Sequence, residues 1–91
     1  MLLGDLIARF QDEAAASETL LSLGDLALTA RVLAGAAASN ISAGELAVPA
    51  VGRFVDGAGH DEWLTLLGRL SRADDPGRAF LHHVLSRAMP A

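Results

Sequence analysis

Apolar residues recur every three or four positions along most of the chain, which is the spacing of amphipathic helices. The first predicted helix covers about residues 3–16, and a turn at 18–23 follows it. Further helices are predicted over about 25–38, 42–56, 61–72 and 76–88. This pattern predicts an all-α fold, a compact bundle of four to five short amphipathic helices.

The residue types at three predicted helix starts support these boundaries. Asp25 precedes the second helix, and Asp75 followed by Pro76 begins the last one. Ser42 and Glu45 have the spacing of a capping box, in which each side chain bonds the backbone N–H of the other residue. We therefore expect these helices to begin at their caps.

The segment 25–38 is apolar nearly all round, and its many alanines would let neighbouring helices approach closely. One side carries Leu26, Ala30, Leu33 and Ala37, and another carries Leu28 and Val32. We expect it to be the central Ala/Leu-rich helix of a single helical domain over residues 1–91. The predicted aromatic core anchors are Phe10, Phe54, Trp63 and Phe80.

Pro49 interrupts the helix predicted over 42–56, because proline removes a backbone hydrogen bond and crowds the carbonyl four residues earlier. Two alternatives follow. Either the helix is continuous and bends with Pro49 on its solvated side, or its main part begins at Pro49. Both alternatives keep Ile41, Leu46, Ala50 and Phe54 facing inward.

The composition narrows the function classes. The 91 residues carry a net charge of −4, and all seven basic residues are Arg. The lack of Cys and Lys excludes disulfides, thiolate and Schiff-base chemistry and a lysine-containing phosphate loop. Asp25 and Arg31 interrupt the most apolar run, so we expect no membrane span. We expect a cytoplasmic protein, and the Arg, Ala and Gly bias suggests a bacterial one.

Three histidines, His60, His82 and His83, are the candidates for metal binding or acid–base chemistry. Adjacent histidines on a helix point about 100° apart and do not chelate one ion together, as residues four apart can. We expect solvated surface histidines, and we predict no catalytic residue, no metal ion and no cofactor. The protein is therefore expected not to be an enzyme.

One alternative function is a helix-turn-helix-like DNA-binding regulator that uses residues 25–57, with Arg31 and Arg53 contacting phosphates. The exposed side of the second helix would carry Arg53 as its basic group, beside Glu45 and Asp56. Carboxylates repel phosphates, and the chain as a whole is acidic. Nucleic acid is therefore an unfavoured partner.

The hydrophobic fraction of 52% is high for a domain of this size, so part of it is expected to be buried against a second polypeptide. We expect a homodimer, or a complex with another protein. The predicted function is a non-enzymatic protein-interaction or regulatory module that acts through apolar helix faces. The predicted interface residues are Leu28, Val32, Val48, Val51 and Val55.

Overall fold

The computed structural model describes residues 3–89, which form six α-helices and no strand. The helices are α1 Leu3–Arg9, α2 Glu13–Leu21, α3 Leu26–Ala38, α4 Ala43–Gly57, α5 His60–Arg72 and α6 Pro76–Ala88. The predicted all-α class is confirmed. The described residues contain more helices than the predicted four to five, because the N-terminal segment forms two.

The segment predicted as one helix over 3–16 is broken after Arg9. Phe10 closes the first helix with a hydrogen bond from its N–H to the carbonyl oxygen of Leu6, at 3.1 Å. The Asp12 carboxylate then accepts a hydrogen bond from the N–H of Ala14 at 2.9 Å and caps α2. Asp12, which lies inside the single helix predicted over 3–16, is therefore the N-cap of a second helix.

The second helix continues to Leu21, through most of the segment predicted as a turn at 18–23. Thr19 is buried within it, and its hydroxyl accepts a hydrogen bond from Arg9 Nη2 at 3.3 Å. This bond joins α2 to the end of α1. A tertiary contact therefore keeps in the helix a threonine that by itself favours a cap.

The centre of the bundle is formed by α4 and α6. The last helix packs against α2, α3, α4 and α5. Its buried residues are Gly77, Phe80, Leu81, His83, Val84 and Leu85. In contrast, the buried residues of α3 are Leu28, Val32 and Ala36. The prediction that the helix over 25–38 is central is wrong, because only one of its apolar sides meets the bundle.

Four aromatic rings connect the helices in the core. Phe10 and Phe80 are fully buried and stack with their centroids 5.9 Å apart. Phe54 meets Trp63 and Phe80 edge-on, at centroid distances of 5.3 and 6.5 Å. Both arrangements are favourable for aromatic quadrupoles. The predicted role of these four residues as core anchors is confirmed.

Residues 39–42 form the turn between α3 and α4, with Asn40 in the left-handed region at φ 57°. The predicted capping box is present: the N–H of Glu45 donates to Ser42 Oγ, and the N–H of Ser42 donates to Glu45 Oε1, each at 3.0 Å. The fourth helix is continuous through Pro49, which is exposed. The helix is therefore continuous with Pro49 on its solvated side, as in the first of the two alternatives. The predicted inward position of Ile41 is wrong, since this residue is 37% exposed and does not join the core.

Within residues 3–89, none of the helices taken alone has the length and apolar character needed to cross a membrane. The pair α3 and α4 reaches the length and composition only when taken together, and the two helices are bent by 104° at the turn between them.

The backbones of α2 and α4 come close together at Gly44, which is buried. A Cβ atom on this glycine would collide with the carbonyl oxygen of Glu13 and would lie 2.6 Å from Ser17 Oγ. Only glycine permits this approach. As a result, the side of the first turn of α4 that carries Gly44 is covered by α2.

Candidate interaction surfaces and histidine contacts

The predicted interface residues belong mostly to the core of the monomer. Leu28, Val32 and Val51 are fully buried, and Val48 and Val55 are half-buried against the hydrophobic core. The first three therefore have no surface to offer a partner. Hydrophobic periodicity identifies an apolar side of a helix, but it does not tell whether that side meets the same chain or another one.

The opposite side of α3 is exposed and carries no charge. Its exposed residues are Leu26, Ala27, Ala30, Leu33, Ala34, Ala37 and Ala38. Leu26 is 89% exposed and Leu33 is 47% exposed. The one charged residue of the helix, Arg31, is half-buried, and its Nε donates to the carbonyl oxygen of Met89 at 3.2 Å. We call the seven exposed Leu and Ala residues of this helix, from Leu26 to Ala38, the α3 outer face.

A second apolar surface lies on α5. Leu64 and Leu67 are exposed, although both belong to the apolar spacing that predicts the helix over 61–72. Leu67 also borders a groove of about 340 Å³ between α1, α5 and the start of α6. The groove is lined by Leu3, Leu6, Leu67, Leu70, Ser71 and Pro76. We call this groove together with the exposed Leu64, which lies one turn before Leu67 on α5, the α5 groove.

His83 is only 6% exposed and lies between polar side chains of α5 and α6. Arg69 Nη1 lies 3.0 Å from His83 Nδ1, and Glu62 Oε1 lies 3.2 Å from His83 Nε2. The same Glu62 oxygen accepts from Arg87 Nε at 2.8 Å. The prediction of a solvated surface histidine is therefore wrong for His83.

The partners of His83 determine its tautomer. A guanidinium group only donates hydrogen bonds, so Nδ1 must accept from Arg69. Nε2 then carries the proton and donates it to the Glu62 carboxylate. Neither ring nitrogen is free to remove a proton from a substrate or to bind a metal ion. The arrangement thus connects α5 to α6 through both ring nitrogens of His83.

His82 points to a different neighbour, as its place next to His83 on the helix requires. Its Nε2 lies 3.0 Å from Asp25 Oδ2, while Asp25 Oδ1 accepts from the N–H of Leu28 at 3.0 Å. The hydrogen bond from Leu28 and that from His82 together lower the pKa of the Asp25 carboxyl, and the positive charge of Arg31 adds to the effect. The cap of α3 is therefore also the link between α3 and α6.

His60 is exposed in the first turn of α5. The three histidines thus have separate surroundings, and the structure does not bring them together. Among residues 3–89, no group of three or more His, Asp and Glu side chains is arranged to hold a metal ion.

The two arginines of the DNA-binding alternative are placed differently. Arg31 is held by the carbonyl of Met89, as described above. Arg53 is exposed and borders a cavity of about 270 Å³ that is also lined by Phe54, Glu62 and Arg87. The bend of 104° between α3 and α4 is within the range of helix-turn-helix motifs. However, Gly44 in the first turn of α4, the end that would have to contact bases, is buried against α2, and the adjacent Glu45 is exposed and acidic.

The apolar spacing identified the outward stripe of α3 as an apolar side, but the predicted interface residues of this helix, Leu28 and Val32, lie on the opposite side, which is buried in the monomer. The signal that distinguishes the two is size: the buried side carries the β-branched Val32, whereas alanines predominate on the outer face. This signal is weak, since small residues also occur where helices pack closely. For Leu64 and Leu67 the sequence contains no signal that separates them from the buried Leu66.

No protein-family model, curated protein or solved structure matches the chain. The function is therefore argued from the geometry of these surfaces and side chains.

Proposed function

We propose that this protein is a non-enzymatic interaction module that forms a homodimer through the α3 outer face. The supporting observation is that α3 exposes only Leu and Ala side chains on that face. Thirteen residues of helix extend over about 20 Å. Contiguous exposed apolar patches of monomeric proteins are usually small, and larger ones mark interaction sites.

The α5 groove is a less favoured dimerisation surface because charged groups accompany its leucines. The exposed residues of α5 include Asp61, Arg69 and Arg72 along with Leu64 and Leu67. These charges would have to be desolvated or paired on association. The α3 outer face requires no such pairing, and it can therefore be buried at lower cost.

The non-enzymatic part of the proposal is supported by the contacts of the polar side chains. The most buried titratable residue identified, His83, uses both ring nitrogens in hydrogen bonds within the protein. The cavity beside it is lined by no Ser or Thr that could act as a nucleophile. The cytoplasmic location expected from the sequence remains part of this proposal, and fractionation of the source cells would test it.

The proposal is tested by sedimentation velocity on the wild type and two variants. A single helix face is a small interface, so we expect association in the micromolar range. The 9.4 kDa chain should sediment with twice its mass at high concentration. Leu33→Glu should sediment as a monomer, because the new carboxylates would be buried in the interface.

The matched control is Leu64→Glu, which puts the same charge on an exposed leucine of another helix and should leave the dimer intact. A wild type that remains monomeric throughout the micromolar range would refute the proposal. Dissociation by Leu64→Glu rather than Leu33→Glu would move the interface to the α5 groove and would also contradict it.

The alternative is a DNA-binding regulator that uses residues 25–57. The bend between α3 and α4 favours it, whereas the burial of Gly44 at the start of α4 and the net charge of −4 count against it. It requires binding to duplex DNA that weakens with salt and is reduced in Arg53→Ala. Without binding at low salt, this alternative is excluded.

A further inference from the structure

Large and small side chains alternate along the α3 outer face. The order is Leu26, Ala30, Leu33 and Ala37, with spacings of four, three and four residues. These spacings keep all four residues on one stripe of the helix. The pattern has a centre between residues 31 and 32. Reversing the helix about this centre exchanges each leucine with an alanine.

We infer that two copies of the chain pair through antiparallel α3 helices, with Leu26 opposite Ala37 of the partner subunit and Ala30 opposite Leu33 of the partner subunit. The inference rests on the proposed function and adds the orientation and register of the helices. It follows from the alternation of sizes, because in this register every leucine meets an alanine. Alternating large and small residues is the condition for side chains of facing layers to interdigitate.

Two-fold symmetry fits this register. In a closed dimer the same patch is used by both subunits, so each contact between two positions occurs twice. The four residues then form four layers, and each layer contains one Leu and one Ala. Ala27 and Ala34 lie beside the stripe and are also exposed, so the two helix backbones can approach closely.

Other arrangements of the same two helices pack less well. In a parallel pair, Leu26 would meet Leu26 of the partner subunit and Ala37 would meet Ala37 of the partner subunit. The leucine layer would then be crowded, and the alanine layer would leave empty space. Parallel pairing would also align the two helix dipoles and bring the two Asp25 side chains together. Sliding one antiparallel helix by one turn puts Leu26 against Leu33 or Ala30 against Ala37, so the alternation is lost.

The chain has no cysteine, so introduced thiols report the geometry without background. Leu26→Cys and Ala37→Cys both alter exposed positions and leave the core unchanged. Within one helix these positions are 11 residues, or about 16 Å, apart. A disulfide requires Cα atoms within about 7 Å. The two positions therefore cannot be joined within one chain, and any disulfide between them must join two chains.

The experiment mixes equal amounts of the two single variants and oxidises them under mild conditions. We expect a disulfide-linked dimer that contains one chain of each variant, whereas either variant oxidised alone should remain uncrosslinked. The double variant Leu26→Cys with Ala37→Cys should crosslink almost completely, since it forms two bonds per dimer. Circular dichroism of each variant verifies that the helices are retained.

The outcomes separate this inference from the proposed function. Crosslinking of each single variant with itself would indicate parallel helices and overturn the inference. A dimer that Leu33→Glu dissociates, but that shows no crosslinking in the mixture, would overturn the register and leave the proposed function standing. A monomer in sedimentation, or crosslinks to a different polypeptide, would overturn both.

Discussion

At the scale of single residues, Gly44 shows how much of the packing depends on the absence of one side chain. It lies where α2 and α4 touch, and the obstacle to a larger residue is backbone and an adjacent hydroxyl group. Backbone cannot rotate out of the way as the end of a flexible side chain can. The site is therefore expected to be intolerant of substitution.

Gly44→Ala should lower the free energy of unfolding by about 1–3 kcal/mol, the usual cost of forcing extra volume into a close-packed site. Gly52→Ala is the matched control in the same helix, because a Cβ there meets no atom within 4 Å. It should raise the free energy of unfolding by about 0.5–1 kcal/mol, since alanine is the better helix former. Urea denaturation measures both, and equal stability of the two variants would contradict the packing described for α2 and α4.

The histidines show which residue-level features the sequence could predict. Their adjacency on one helix fixes that His82 and His83 point in different directions. It does not identify their neighbours. Glu62 and Arg69 come from α5, and Asp25 comes from the start of α3, so these contacts depend on how the helices pair. For this reason the sequence predicted solvated histidines, while the structure buries His83.

At the scale of helices, boundaries marked by caps were predicted best. Asp25, Ser42 with Glu45, and Asp75 each cap a helix as expected, because these signals are local and their hydrogen bonds lie within three residues. The break at residues 10–12 was missed. The apolar spacing continues from Leu6 to Phe10 and Ala14 across it, so periodicity alone cannot detect a change of direction.

The cap at Asp25 carries a prediction about pH. The pKa of its carboxyl lies below the ordinary value of 3.8 in the folded protein. Asp25 therefore contributes stability that is present above that value and is lost as the pH falls below it. Asp25→Asn keeps a good N-cap but removes the charge. Its melting temperature should be lower than that of the wild type at neutral pH, and the difference should disappear in acid.

The measurement is thermal unfolding followed by circular dichroism from about pH 7 to below pH 3, across the ordinary pKa of an aspartate. The substitution should have a smaller effect in a His82→Ala background, because one of the two hydrogen bonds that lower the pKa is then absent. If the melting temperatures of the wild type and Asp25→Asn differed by the same amount over the whole pH range, the charge of Asp25 would not be the cause of the difference.

At the scale of the whole molecule, the surplus of apolar residues was recognised from the composition, but its location was not. Two apolar sides of α3 were visible in the sequence, and the bundle could have covered either. The choice is made by α4 and α6, which pack on Leu28, Val32 and Ala36. The side that remains exposed is the one on which leucine and alanine alternate, and we propose that a second copy of the chain covers it.

Dimerisation through this face should couple the stability of the fold to the concentration of the protein. Because association removes folded monomer from the unfolding equilibrium, the melting temperature of a dimer rises with total concentration. We expect this rise for the wild type and for Leu64→Glu over a hundredfold range of concentration. Leu33→Glu should melt at one temperature throughout, because it is expected to be a monomer at every concentration. The substitution itself should be tolerated, since Leu33 is already 47% exposed and a carboxylate there stays solvated in the monomer.

Scanning calorimetry or circular dichroism at several concentrations provides the measurement. The low-concentration limit gives the intrinsic stability of the monomer, and there the three proteins should nearly agree because both substitutions are on the surface. A melting temperature that is independent of concentration in all three proteins would mean that the α3 outer face stays exposed to solvent. A rise that persists in Leu33→Glu but disappears in Leu64→Glu would assign the contact to the α5 groove.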